Sequence, residues 1–226
     1  MCGKNRFRNL ALLSAGTLAG TLAGTEAASA EGRNGSEAPK KPNILFFLVD
    51  DLGWSDIGCF GSRFHETPNI DRLAEEGVRF TNAYAACHVS SPTRASLMTG
   101  RYPASIRLTD WLPGRKNWPF QRLLNAPVEQ HLPFEEITVA ETLRDNGYAT
   151  AIIGKWHLGK GDSNPLAHGF DEHIPLGYNE GWPQGYYAPF RLNGYEGEEG
   201  EYLTDVMTRE ATKYIEEHKD GPFFLY

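Results

Sequence analysis

Apolar and polar positions along the chain switch repeatedly between two periods. Asn43 to Val49 is a nearly continuous apolar run of strand length, the pattern of a strand buried on both faces of a parallel sheet. Thr67-Pro68 then opens a helix through Glu76, with proline at a tolerated first-turn position and Gly77 as its stop. Val78 to Tyr84 is a second strand candidate, and Ser91 to Thr99 reads as a helix ending at Gly100. Thr138 and Glu141 have the spacing of a capping box for a helix reaching Asn146-Gly147. Tyr148 to Gly154 follows as a strand, Thr204 to His218 as a helix, and Pro222 to Tyr226 as another strand. Alternation of this kind predicts an α/β fold with a mainly parallel sheet and helices on both faces. Residues 102–135 and 159–200 carry little regular pattern and are rich in Pro, Gly, Trp and Tyr. They read as long loops above the sheet, where function concentrates.

The first thirty residues belong to a different category. Lys4, Arg6 and Arg8 precede a modestly apolar run from Leu10 to Ala23, and Ala28-Ser29-Ala30 offers small residues for cleavage. Residues 1–30 therefore read as a secretory signal peptide, and residues 31–41 as a flexible leader. Gly16, Gly20 and Gly24 interrupt a run too short to anchor stably in a membrane. The address implied is periplasmic or secreted.

Charge narrows the partners. With 22 Lys and Arg against 29 Asp and Glu the chain carries −7. Removing residues 1–30 leaves 19 basic and 28 acidic residues, a formal charge of −9. No basic stripe is present for nucleic acid, although a local positive pocket can still take a small anion. The cysteines that remain after the leader, Cys59 and Cys87, are too few for a disulfide framework.

Three segments carry candidate chemistry. Asp50-Asp51 directly follows the first apolar run, at a strand's C-terminal end, where open α/β sheets bind ligands. Paired carboxylates there suit a hard cation such as Ca²⁺ or Mg²⁺, or are simply solvated; Asp56 reads as a hydrogen-bonding loop residue. Lys155 and His157 are two apart, so a strand continuing through Trp156 would point both to one side. The lysine could bind an oxyanion and the histidine could move a proton, or both could be ordinary loop residues. The third segment runs Ser90-Ser91-Pro92-Thr93-Arg94-Ala95-Ser96-Leu97-Met98-Thr99-Gly100-Arg101.

That third block, S-x-P-x-R with a helical run and T-G-R, resembles the signature of the type I, formylglycine-dependent sulfatases. The segments Asn43–Gly53 and Gly154-Lys155-Trp156-His157-Leu158-Gly159 match the same family in the right order. The resemblance implies an alkaline-phosphatase-like sandwich and oxidation of Ser90 to formylglycine. A hydrated aldehyde has two geminal hydroxyls, one to attack sulfur and one to expel sulfate later. Arg94 would place a permanent charge beside those oxygens, and Lys155 and His157 would be the catalytic lysine and histidine. Asp50, Asp51 and an oxygen of residue 90 would ligate Ca²⁺, preferred over Mg²⁺. Cys87, three residues before Ser90, lacks the x-P-x-R that must follow and reads as a packing residue.

The other histidines (His65, His88, His131, His168, His173 and His218) have no metal-site spacing. His168-Gly169-Phe170-Asp171 resembles a structural loop of the same family, and His218 closes a predicted helix. Trp182, Tyr186 and Tyr187 could stack on a sugar or merely pack loops. Glu196 to Glu201 reads as a solvated acidic loop.

The expected reaction is hydrolysis of sulfate monoesters, with sulfated carbohydrate or another sulfated small molecule as substrate. A formylglycine-generating enzyme that accepts serine is the expected maturation partner. The resemblance covers residues 41–226 and only the first half of a typical sulfatase. The chain is therefore expected to be a truncated catalytic domain over 42–226, short of metal ligands and poorly active alone. A phosphate or phosphonate monoester hydrolase of the same superfamily, or an inactive remnant, are the alternatives.

Overall fold

The computed structural model describes residues 41–175, 185–190 and 197–226. The signal-peptide segment, the leader up to residue 40, Trp182 and Glu196 lie outside the described residues.

Four strands form one sheet: β1 (Ile44–Leu45), β2 (Ala149–Ile153), β3 (Glu172–Ile174) and β4 (Phe223–Leu225). Their order is β1-β4-β2-β3 and every pairing is parallel. Phe224 lies opposite Ile44 on one side and Thr150 on the other. This register sends alternate side chains to two separate cores. Ile44, Phe46, Ile152 and Phe224 face one core, with Ala95, Met98, Trp156 and Phe170. Leu45, Ala149, Ala151, Phe223 and Leu225 face the other, with Tyr214 and Ala211.

The helices divide between those faces. The helices α2 (Ser90–Thr99), α3 (Pro103–Ile106) and α4 (Val139–Asp145) pack on the first. The long helix α5 (Leu203–His218) covers the second. Helix α1 (Pro68–Glu76) buries none of its residues and rests on the turn at Gly58–Phe60. The capping box forms as read: Thr138 Oγ1 accepts from Glu141 N at 3.0 Å, and Glu141 Oε2 accepts from Thr138 N at 2.8 Å. Gly100 ends α2 in the left-handed region at φ 68°, its N–H donating to Ser96 O.

Several expectations need correction. The run Asn43–Val49 is not a strand buried on both faces. Its ladder continues only to Phe46 N, which donates to Leu225 O at 2.8 Å. Among the described residues it lies at the sheet edge, with no strand paired to its outer side, and Phe47 is 78% exposed. Val78–Tyr84 forms no strand, because apolar residues there meet no partner ladder; Val78 and Tyr84 are exposed. Conversely, 102–135 and 159–200 are not wholly loop. They hold α3 and β3, the latter bound to β2 with Ala151 opposite Glu172. Three residues are too few to show a period.

Candidate active site

Parallel strands bring their C-terminal ends to one edge, and here three neighbours do so in the order β1-β4-β2. Asp50 lies in the turn after β1, Tyr226 directly follows β4, and Lys155 and His157 follow β2. The first turn of α2 presents Ser90 and Arg94 to that edge.

Arg94 holds the cluster together. It is 4% exposed. Its Nε donates to Ser90 Oγ at 3.0 Å, and one terminal nitrogen donates to Lys155 O at 2.7 Å and to Tyr226 Oη at 3.1 Å. The other lies 3.5 Å from Asp50 Oδ2. The Lys155 ammonium donates to the same carboxylate oxygen. Burial works to raise the Asp50 pKa, but the Lys155 and Arg94 charges and hydrogen bonds outweigh it and hold the carboxyl below its ordinary range. Burial pushes the Tyr226 phenol up, so it stays neutral.

His157 has a defined tautomer. Nε2 lies 3.1 Å from Leu112 O, an atom that can only accept, so Nε2 carries the proton. Nδ1 then faces Ser90 Oγ at 3.0 Å with its lone pair free when the ring is neutral. Burial lowers the His157 pKa; the Leu112 carbonyl opposes that shift and the Lys155 and Arg94 charges reinforce it. Ser90 Oγ thus accepts from Arg94 and donates to His157.

Lys155 and His157 are not on a strand, contrary to the two-apart expectation. β2 stops at Ile153, Gly154 turns at φ 106°, and Trp156 buries its ring in the core. His157 itself is left-handed at φ 58°. Asp51, at φ 56°, shares this conformation, which is costly for a residue with a Cβ and recurs at functional sites.

Asp51 does not join the hydrogen-bonded cluster. Its side chain is exposed and forms no ion pair among the described residues. No group of three His, Cys, Asp or Glu that could hold a metal occurs among those residues. The donor chemistry nonetheless fits a hard cation: two carboxylates and the oxygen of residue 90, at one sheet edge, as part of a six-to-eight-oxygen shell. Asp56 accepts from Gly53 N at 2.9 Å, a loop role.

A cleft of about 350 Å³ opens beside His157, walled by Leu112, Pro113, Gln130 and Lys160. Tyr186 and Tyr187 are exposed, the latter in ring contact with Tyr202. His168 is buried, bonded to Ser163 Oγ at 3.0 Å and stacked on Phe134. Cys59 and Cys87 are both free. The sequence pattern missed Leu112 and Tyr226: a backbone carbonyl has no residue signature, and Tyr226 reads as one more position of an apolar strand.

The sulfatase family model matches residues 42–226. The chain belongs to the sulfatase family. It is 37% identical over 223 residues to an N-acetylgalactosamine-6-sulfatase of Canis lupus familiaris, covering 88% of this chain and 41% of that protein. The chain thus spans less than half the length of this sulfatase. The solved structure of Ps i-CgsB with k-i-k-neocarrahexaose superposes with a TM-score of 0.68 at 34% identity, covering 83% of this chain and 44% of the other. A second structure, of a protein in complex with its substrate D-glucosamine-2-N,6-O-disulfate, matches with a TM-score of 0.60 at 32% identity, covering 82% and 33%. The sulfatase fold is that of the alkaline-phosphatase-like group, as the motifs implied.

Proposed function

We propose that this chain carries the nucleophile, base and oxyanion-binding groups of a secreted hydrolase of sulfate monoesters, acting on sulfated carbohydrate. The observation that carries this reading is the placement of Ser90 Oγ between Arg94 Nε and His157 Nδ1, both 3.0 Å away. Membership of the sulfatase family and the carbohydrate-directed relatives support the substrate class. The basic and apolar pattern of residues 1–30 supports export. No helix among the described residues is long and apolar enough to cross a membrane.

Each residue has a role that follows from its surroundings. Arg94, permanently charged and nearly dry, stabilises negative charge growing on the oxygens of residue 90. His157, neutral and with Nδ1 bare, accepts a proton from those oxygens. Lys155 supplies an ammonium for the sulfate oxygens, its present partner being the Asp50 carboxylate. Formylglycine at position 90 would supply a second hydroxyl on the same carbon, so that release of sulfate needs no separate water attack. Asp50 and Asp51 would hold Ca²⁺, whose chemistry there is to draw charge from the ester and lower the barrier to attack.

The test is modification of Ser90. The chain is co-expressed with a formylglycine-generating enzyme that accepts serine, and the peptide bearing Ser90 is weighed. Loss of two hydrogens is expected. Unmodified serine, while a control sulfatase is converted in the same cells, overturns the assignment.

A further inference from the structure

We infer that Ser91 is a positioning residue, whose hydroxyl, acting through the backbone of Leu112, fixes the tautomer and aim of His157. Ser91 is fully buried, and its Oγ accepts from Leu112 N at 3.1 Å. Leu112 O in turn accepts from His157 Nε2 at 3.1 Å, and His157 Nδ1 meets Ser90 Oγ at 3.0 Å. Ser90 and Ser91 are consecutive in the first turn of α2. A closed ring results, Ser90–Ser91–Leu112–His157–Ser90, made of one covalent link and three hydrogen bonds.

The ring matters because, among the described residues, no helix or strand hydrogen bond holds the backbone of Leu112. It lies between α3 and α4, in neither helix nor strand. Only two soft dihedrals separate its N–H from its carbonyl. Anchoring the N–H to a helix therefore restrains where the carbonyl points. That carbonyl decides which ring nitrogen of His157 carries the proton, because it can only accept. With the tether lost, the ring can turn or exchange tautomers, and Nδ1–H would then face Ser90 as a donor, useless for accepting its proton. Ser96 provides a contrast on the same helix. Its hydroxyl is also buried, yet makes no hydrogen bond among the described residues.

The use of His157 as a base rests on the proposed sulfatase reading, but its tautomer can be measured without any sulfate ester. Failure of one idea is thus distinguishable from failure of the other. The experiment is two-bond proton–nitrogen NMR on the ¹⁵N-labelled chain at about pH 8, above the ordinary histidine pKa. Wild type should show His157 as the Nε2–H tautomer. Ser91→Ala should raise the Nδ1–H population roughly five-fold, as loss of one buried hydrogen bond implies. Ser96→Ala should leave it unchanged. If Ser91→Ala fails to fold, Ser91→Cys replaces it, keeping the side chain's shape with a weaker acceptor. An Nδ1–H tautomer in wild type, an unchanged population in the folded Ser91 variant, or an equal change in Ser96→Ala would overturn the inference.

Discussion

Replacing Arg94 should cost far more than its single charge suggests, and the contacts allow the cost to be apportioned. Arg94→Ala strips partners from Lys155 O and from Tyr226 Oη, the latter on a half-buried ring packed against the core. An unsatisfied buried polar group costs about 1–3 kcal/mol. Ser90 Oγ keeps His157, so it adds little. Asp50 keeps Lys155, and with its side chain 41% exposed the lost attraction to Arg94 is screened by water. The two orphaned groups dominate, and the expected loss is about 2–6 kcal/mol, two such penalties together. Urea unfolding followed by tryptophan fluorescence reads this as a fall in midpoint on the order of 1–2 M at constant slope. Arg94→Lys is the sharper probe. A lysine restores the charge beside Asp50 but lacks the planar fork that serves Ser90, Lys155 O and Tyr226 together. It should recover less than half of the loss. An alanine cost below about 1 kcal/mol, or near-complete recovery with lysine, would show that the guanidinium does not organise this edge.

Two further outcomes follow from groups outside the cluster. Thr138→Ala removes both the α4 cap and the hydroxyl that donates to His168 O at 2.8 Å in the buried core; a loss of about 1–2 kcal/mol is expected by thermal melting, with Thr138→Ser largely neutral. Burial holds the pKa of His168 and His173 below the ordinary 6.5, as it does for His157. The unfolded chain therefore binds more protons just below that pH, and stability should be full above 6.5 and decline as the pH falls beneath it. Urea midpoints at about pH 7.5 and 5.5 check the sign, and a flat or inverted profile would refute it.

Much of the site was legible because its residues sit where strong local patterns stop. Asp50 and Lys155 follow apolar runs, and Ser90 and Arg94 share one turn of a helix marked by Pro92 and Gly100. The sheet's edges were not legible. β1 and Val78–Tyr84 both read as strands, yet only the first finds a ladder, a tertiary outcome that residue type does not encode. β3 carries Glu-His-Ile, with a single apolar residue to announce it, and gains its place from pairing with β2. Lys155 on Asp50 and His157 on Ser90 reach one cluster by a route other than the strand expected from their spacing. A strand would have projected them together by its pleat, whereas here the chain turns at Gly154 and is left-handed at His157.

The register of the sheet is what turns these separate segments into one site. Asp50 and Lys155 follow strands that do not touch; β4 lies between those strands and relates each to the other through Phe224, opposite both Ile44 and Thr150. A slip of one residue between β1 and β4 would put Ile44 and Phe46 into the wrong core. A slip of two would preserve the cores yet carry Asp50 about 6.6 Å along the sheet, breaking its contact with Lys155 and Arg94. Apolar burial alone does not distinguish the native register from the second slip. The charges at the strand ends do, so the cluster that would bind the substrate also selects the alignment that forms it.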